Sequence, residues 1–430
     1  MKTNRAVTQV VGSCLVSLFL ALGSRAANAD VSIVKTDDWE VFTGGRVNGF
    51  FSFGAGDAYP VPAVANSSIR PGGGLDVGPN GIPATDATGT ADPSKQGTFR
   101  SMRIRSGFVP NVFGMGLRSH ISSETELTVY ISFWTTIEAL GLRKTNPIYP
   151  DAREGYAKLH GPWGTLLVGR ALDLFSRGAT ENDFMYAHGY AVGFPGNIDN
   201  AGPTAGLIGF GVLAAFFSPG IVYSTPPVGG LQLNVGLYDP VPLPGAWERT
   251  SAVRPESELT FDAGSKSLKV HLFANGTAQQ LFRANETRST SVYGVGYGGR
   301  LEVGPVHLGV AGHYGRGLGL SYALENSPTT FNQNYDLRTF DGYSAVAQFV
   351  AGRFDLNLAG GMSRVFLLES DKVATDSSLI KTQLGMGAVV VYHFSGNLHF
   401  SADYFRGQYS WYLGEKQNVN FLSTGMTATW

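Results

Sequence analysis

The chain has 430 residues and a formal net charge of −1, with 43% hydrophobic, 12% aromatic and only 15% charged residues, against about 25% charged in ordinary globular proteins. Mean hydropathy is −0.01 and no run of about 18 apolar residues follows position 30, which excludes a bundle of membrane-crossing helices. The 57 glycines, 18 tyrosines and 27 phenylalanines favour strands and turns, and their spread along the whole chain excludes disorder.

The first element is a processing signal. Lys2 and Arg5 form a basic start, Val10 to Leu22 an apolar core, and Ala27-Asn28-Ala29 a small-x-small site for cleavage before Asp30. Val11-Gly12-Ser13-Cys14 has the form of a lipoprotein site, but the stretch before Cys14 is short and the apolar core runs past it. The reading is therefore a cleaved signal peptide over 1–29 and one domain over 30–430. Cleavage removes Lys2, Arg5 and Arg25 and no acid, leaving 29 basic against 33 acidic residues, a net charge of −4. Cys14, the only cysteine, leaves with it, so no disulfide or thiol chemistry is expected. Nothing in this balance points to a nucleic-acid partner.

The rest of the chain repeats one pattern. Stretches of about ten residues alternate apolar and polar, separated by Gly, Pro, Asn, Asp or Ser. Leu231, Leu233, Val235 and Leu237 alternate with Gln232 and Asn234; Leu268, Val270, Leu272 and Ala274 alternate with Lys269 and His271. Leu384, Met386, Ala388, Val390 and Tyr392 share a face, as do Leu398, Phe400, Ala402 and Tyr404. One uniformly apolar face and one mixed face describe half-buried antiparallel strands.

The connectors sort by length. Short turns fall at Ser122 to Glu124, Gly161 to Gly164, Pro226 to Gly230, Ala263 to Lys266, Gly304-Pro305, Ala351 to Arg353 and Ser395-Gly396. Between them lie long polar segments at 54–97, 138–151, 171–218, 240–252, 277–289, 317–338, 365–378 and 407–416. Strict alternation of long and short predicts an all-β transmembrane antiparallel barrel of about 16 strands, with short turns on the periplasmic side. Closure follows because no open sheet edge can sit in hydrocarbon, and a barrel of this size leaves an aqueous channel. Pro110 and a change of phase interrupt the second strand, 98–121.

Several segments resemble the general diffusion porins of Gram-negative outer membranes. Gly45-Arg46-Val47-Asn48-Gly49-Phe50-Phe51 resembles that family's first strand. Tyr156 to Arg170, through Gly161-Pro162-Trp163-Gly164, resembles the hairpin before its third loop. Gly220-Ile221-Val222-Tyr223-Ser224-Thr225-Pro226 with Gly229-Gly230-Leu231 resembles the hairpin after it. Trp430, with Met426 and Leu422 at alternate positions before it, resembles the terminal segment read by the barrel-assembly machinery. The first loop, 54–97, is longer than the family pattern and the third lacks a dense acidic stretch. The resemblance implies a homotrimer in the outer membrane, in contact with its lipid, that passes small hydrophilic solutes and ions passively and needs no cofactor.

The resemblance also marks a constriction. The third loop, 171–218, carries Leu207-Ile208-Gly209-Phe210-Gly211-Val212-Leu213-Ala214-Ala215-Phe216-Phe217, a run too apolar for water, and folding into the lumen would bury it. Arg46 sits beside Asn48 on a polar face, and Arg103 and Arg105 share another. Arg170 is placed by the resemblance on the wall facing the loop, whose carboxylates are Asp173, Glu181, Asp183 and Asp199. A basic wall against an acidic loop would give a transverse field that sets ion preference. Trp163, Tyr392 and Trp430 fall near short turns, and Tyr404, Trp411 and Tyr412 near the opposite ends, as aromatic girdles.

Catalytic and metal signals are weak. Gly294, Gly296 and Gly299 match a G-x-G-x-x-G spacing but lie in an alternating strand with no helix after it. The histidines are scattered over different strands, and no G-x-S-x-G or H-E-x-x-H element occurs. A substrate-specific channel, a barrel enzyme and an adhesin are the alternatives. Solute block, turnover, or binding without conductance would distinguish them.

Overall fold

The computed structural model describes residues 31–57, 97–107, 111–135, 137, 151–184, 206–241, 247–248, 253–283, 289–324, 330–332, 336–373, 379–412 and 414–430. Asp199 and the 1–29 segment lie outside these residues.

The strands follow chain order around one sheet. The first are β1 (Val31–Lys35), β2 (Trp39–Asp57), β3 (Thr98–Arg105), β4 (Asn111–Ser122), β5 (Thr125–Thr135), β6 (Asp151–Gly161) and β7 (Gly164–Leu172). After the third loop come β8 (Phe217–Ser224), β9 (Leu231–Tyr238), β10 (Trp247–Glu248), β11 (Arg254–Gly264), β12 (Leu268–Arg283) and β13 (Ser289–Val303). The last are β14 (Val306–Arg316), β15 (Thr339–Ala351), β16 (Phe354–Phe366), β17 (Ile380–His393), β18 (Leu398–Trp411) and β19 (Lys416–Thr429). Among the described residues two short helices, α1 (Arg177–Asn182) and α2 (Glu369–Val373), lie in loops.

The sheet closes into an antiparallel barrel of 16 strands, because β19 pairs with β2 from Val419 opposite Gly56 to Thr429 opposite Arg46. Gly45 and Trp430 complete the seam with mutual N–H···O bonds of 2.9 and 3.0 Å. The seven short turns fall where the sequence places them. β3 and β4 form one interrupted barrel strand, since both pair with β2. β3 ends at Arg105 and β4 begins at Asn111; Pro110, which lies outside the described residues, has no N–H to donate to a ladder. Asn48 holds the break from inside, donating its N–H to Asn111 Oδ1 and accepting from Gly107 N–H, both at 2.8 Å.

Alternation sorts the faces. The apolar sets of β9, β12, β17 and β18 point outward and are largely exposed, as a lipid-facing band requires. Met102, Ile104, Phe51, Phe53, Leu422 and Met426 do the same around the closing seam. Two expectations are corrected. Segments 277–289 and 407–416 are mostly strand, because β12 runs to Arg283 and β18 to Trp411. Polar Thr277 and Gln279 face the lumen there, and polarity alone had suggested a loop. Trp411 and Tyr412 do not join a girdle either: Trp411 is buried inside with Phe405 and Tyr409, and the Tyr412 hydroxyl donates to the Val365 carbonyl.

Candidate functional site

The described parts of the third loop, 173–184 and 206–216, fold into the barrel. The loop's apolar run is buried from Leu207 to Ala215: Leu207, Ile208, Phe210 and Leu213 are 0% exposed and pack with Phe273, Phe340, Phe405, Tyr409 and Phe421 of the wall. Each such side chain stabilises the docked loop by about 1.5–3 kcal/mol. The 317–338 loop backs it up. Ala214 N–H donates to the Ser321 carbonyl, Ala323 N–H donates to the Ala214 carbonyl, and the Phe216 and Tyr322 rings stack at 5.0 Å.

The first leg of the loop is stitched to the wall by charge. Arg254 of β11 is 0% exposed, and its Nη2 donates to Asp173 Oδ2 at 2.6 Å and to Ser218 Oγ at 3.0 Å. Ser218 Oγ in turn donates to Asp173 at 2.8 Å. Glu256, two residues along β11, lies 3.2 Å from Arg254 Nε and accepts the Phe175 N–H at 2.8 Å. Glu258 pairs with Arg177 at the start of α1. Leu174 N–H donates to the Tyr238 hydroxyl at 3.2 Å. Burial pushes the Asp173 carboxyl up to about 6, against the opposing pull of Arg254 and Ser218. At the end of α1, Asn182 Nδ2 donates to the Gly299 and Val310 carbonyls at 3.1 and 3.0 Å. Asp183 closes the neck of the loop by accepting Leu207 N–H at 2.6 Å.

The wall beneath the loop is lined with glycine. A side chain at Gly294 would meet the Phe175 ring at 2.7 Å, and one at Gly309 would meet Asn182 Oδ1 at 2.8 Å. Within the G-x-G-x-x-G spacing, Gly294 makes room for Phe175 and Leu318, while Gly296 and Gly299 lie against Asn275 and Leu272 of the neighbouring strand.

The sequence candidates divide. Arg46, Arg103 and Arg105 all face inward: Arg46 opposes Thr429, while Arg103 and Arg105 oppose Ser52 and Phe50, whose outward neighbours are Phe51 and Phe53. Arg170 is a correction. It opposes Pro219 and shares the outer face of β7 with exposed Val168, and its Nε donates to the Phe217 carbonyl at 3.1 Å. Asp173 and Asp183 are 3% and 1% exposed and fully engaged, so they hold the loop rather than line water. Glu181 is exposed on α1. Leu422 and Met426 point outward and Trp430 sits at the seam.

Sequence reasoning missed Arg254, Glu256 and Glu258. The available signal was charge at three alternate positions of one strand, which in a barrel marks the lumen face. It also missed Arg118, whose guanidinium lies 3.8 Å over the inward Phe42 ring. At the periplasmic end of the wall, His393 Nε2 lies 2.7 Å from Asp355 Oδ2, with the His399 ring beside it. Among the described residues no cluster has metal-ligand geometry.

Known proteins place this architecture. The family described as Gram-negative porin matches residues 19–427. No curated protein matches the chain. Three solved structures share the fold. The outer membrane channel DcaP of Acinetobacter baumannii is 14% identical, covering 93% of this chain and 100% of its own, with a TM-score of 0.63. An anion-selective porin from Comamonas acidovorans is 12% identical over 91% of this chain and 100% of its own, at 0.58. OmpF of Salmonella typhi, in a complex with daunomycin, is 12% identical over 92% of this chain and 99% of its own, at 0.54. With a lumen-folded third loop in a closed barrel of 16 strands, the chain belongs to the Gram-negative porin family, and it is an outer-membrane channel for passive diffusion of solutes.

Proposed function

We propose that this porin narrows between the arginine-bearing wall of β2 and β3 and the docked third loop, and that it favours small anionic solutes. One observation carries the reading. From Phe42 to Gly56 the inward positions of β2 hold Arg46 and no carboxylate, and those of β3 add Arg103 and Arg105. On the loop side, Asp173 and Asp183 are consumed by the bonds that anchor it. Glu181 stays as an exposed carboxylate on α1, and three wall arginines against it leave the local field net positive, which concentrates anions.

The finer parts of the reading go with it. The chain works as a homotrimer without catalytic activity, its 1–29 segment is removed on export, and Leu422, Met426 and Trp430 present the outward apolar end read by the assembly machinery. The test is reconstitution of residues 30–430 in a planar bilayer. Ohmic steps that close in three levels and larger permeability for chloride than for potassium are the expected result. Block by a micromolar solute would instead mark a substrate-specific channel, and silence from folded protein would contradict the diffusion pore.

A further inference from the structure

The tip of the third loop ends in a seat cut for one side chain. Gly361, Gly385 and Gly407 are opposite one another on β16, β17 and β18 and form a row across the inner wall. The Phe210 ring lies over that row. A side chain at Gly385 would meet the Phe210 and Phe405 rings, each at 2.7 Å, one at Gly407 would meet the Phe210 ring at 3.4 Å, and one at Gly361 would collide with the Phe210 carbonyl oxygen. Phe405 and Tyr409 flank the seat, presenting edges to the Phe210 ring at centroid distances of 5.0 and 5.7 Å, a favourable arrangement for aromatic pairs. Gly211 N–H donates to Ser363 Oγ at 2.8 Å and fixes the tip in the plane of the wall. Gly209 and Gly211 adopt φ of 83° and 100°, which only glycine takes without strain. The motif Gly209-Phe210-Gly211 is thus shaped to drive one ring into the wall.

We propose that Phe210 and this glycine row set the standoff of the third loop from the wall, and so set the size limit of the pore. Phe210 is a positioning residue, and the glycines determine specificity by leaving no volume between loop and wall. This rests on the reading that the third loop forms the constriction. Any atom added to the row moves the loop toward the lumen axis and narrows the passage, because the packed interior has no free space to absorb it.

The experiment is a set of variants read by single-channel conductance and by liposome swelling with sugars of increasing size. Barrel folding is followed separately by heat-modifiable gel mobility. Gly385→Ala is expected to lower conductance and exclude larger sugars while the barrel stays folded. In the Phe210→Ala background the same substitution is expected to lower conductance clearly less, because only the Phe405 ring remains for the added atom to strike; such non-additivity marks direct contact. Gly361→Ala strikes a backbone oxygen, so Phe210→Ala does not relieve it. Phe210→Ala alone gives a noisier channel, and Phe210→Leu, which keeps most of the volume, restores quiet openings. A variant lacking residues 207–212 separates the two claims. If it widens the pore while Gly385→Ala and Gly361→Ala conduct like wild type, the latch is overturned and the constriction reading stands. If it leaves the sugar limit unchanged, the constriction reading falls and the latch falls with it.

Discussion

On β2 and β3 the inner wall carries Arg46, Arg103 and Arg105 with no carboxylate between them, whereas on β11 it carries Arg254, Glu256 and Glu258 at three alternate positions. In the proposed reading the first wall faces the passage. The second is covered by the third loop, and each charge there is bonded to the loop or to its neighbour. The difference follows from water. Beside an aqueous lumen Arg46 and Arg103 stay partly exposed and keep part of their hydration, although Arg105 next to them is only 7% exposed. Under a docked loop hydration is lost, and isolated charges are too expensive to keep. On the proposed reading the same residue types serve selectivity on one side of the barrel and construction on the other.

The sharpest way to break this contrast is Arg254→Met. It strands Asp173 and Glu256 together in a buried site, and removal of one member of a buried ion pair costs about 3–5 kcal/mol. The urea midpoint should fall and proteases should cut within 173–216. Arg103→Gln, on the hydrated wall, should leave both unchanged. Equal loss of stability in the two variants would erase the distinction.

A smaller effect comes from Asp173. Folded, it holds its proton to about pH 6, against an ordinary 3.8. Between those values the folded state binds the extra proton, so stability from this group is present at the acid end and lost as pH rises through about 6. Asp173→Asn mimics the protonated form. The melting temperature of wild type minus that of the variant should therefore decrease between pH 4 and pH 7. A difference that grows with pH would show that the ionised carboxylate is the stabilising form.

The smallest effect is expected at Arg170. Because it lies on the outer face of β7, Arg170→Ala should leave conductance and ion preference at wild-type values. A clear shift in reversal potential would return this residue to the lumen.

Much of the barrel was legible because lipid and water impose a period of two on every strand, and because loop length differs between the two rims. Pro110 and the phase change correctly marked the break between β3 and β4. Boundaries failed where that logic weakens: Thr277 and Gln279 are polar because they face the lumen, and Gln408 and Ser410 extend β18 although their polarity resembles a loop. The inward positions of Arg46, Arg103 and Arg105 followed from alternation with Val47, Met102 and Ile104. The roles of Asp173 and Asp183 did not, since their partners lie far along the chain, at Arg254 and Leu207. The seat of Phe210 was equally hidden. It requires three glycines on three strands to fall in register, and periodicity within one strand carries no record of that.

The central claim is that the arginine wall of β2 and β3 sets ion preference. It is tested most directly by the reversal potential under a salt gradient, for wild type and for the triple variant Arg46→Gln, Arg103→Gln, Arg105→Gln. The account predicts an anion-selective potential in wild type that moves toward cation selectivity when the three charges are removed. A cation-selective wild type, or a triple variant with an unchanged potential, would contradict it.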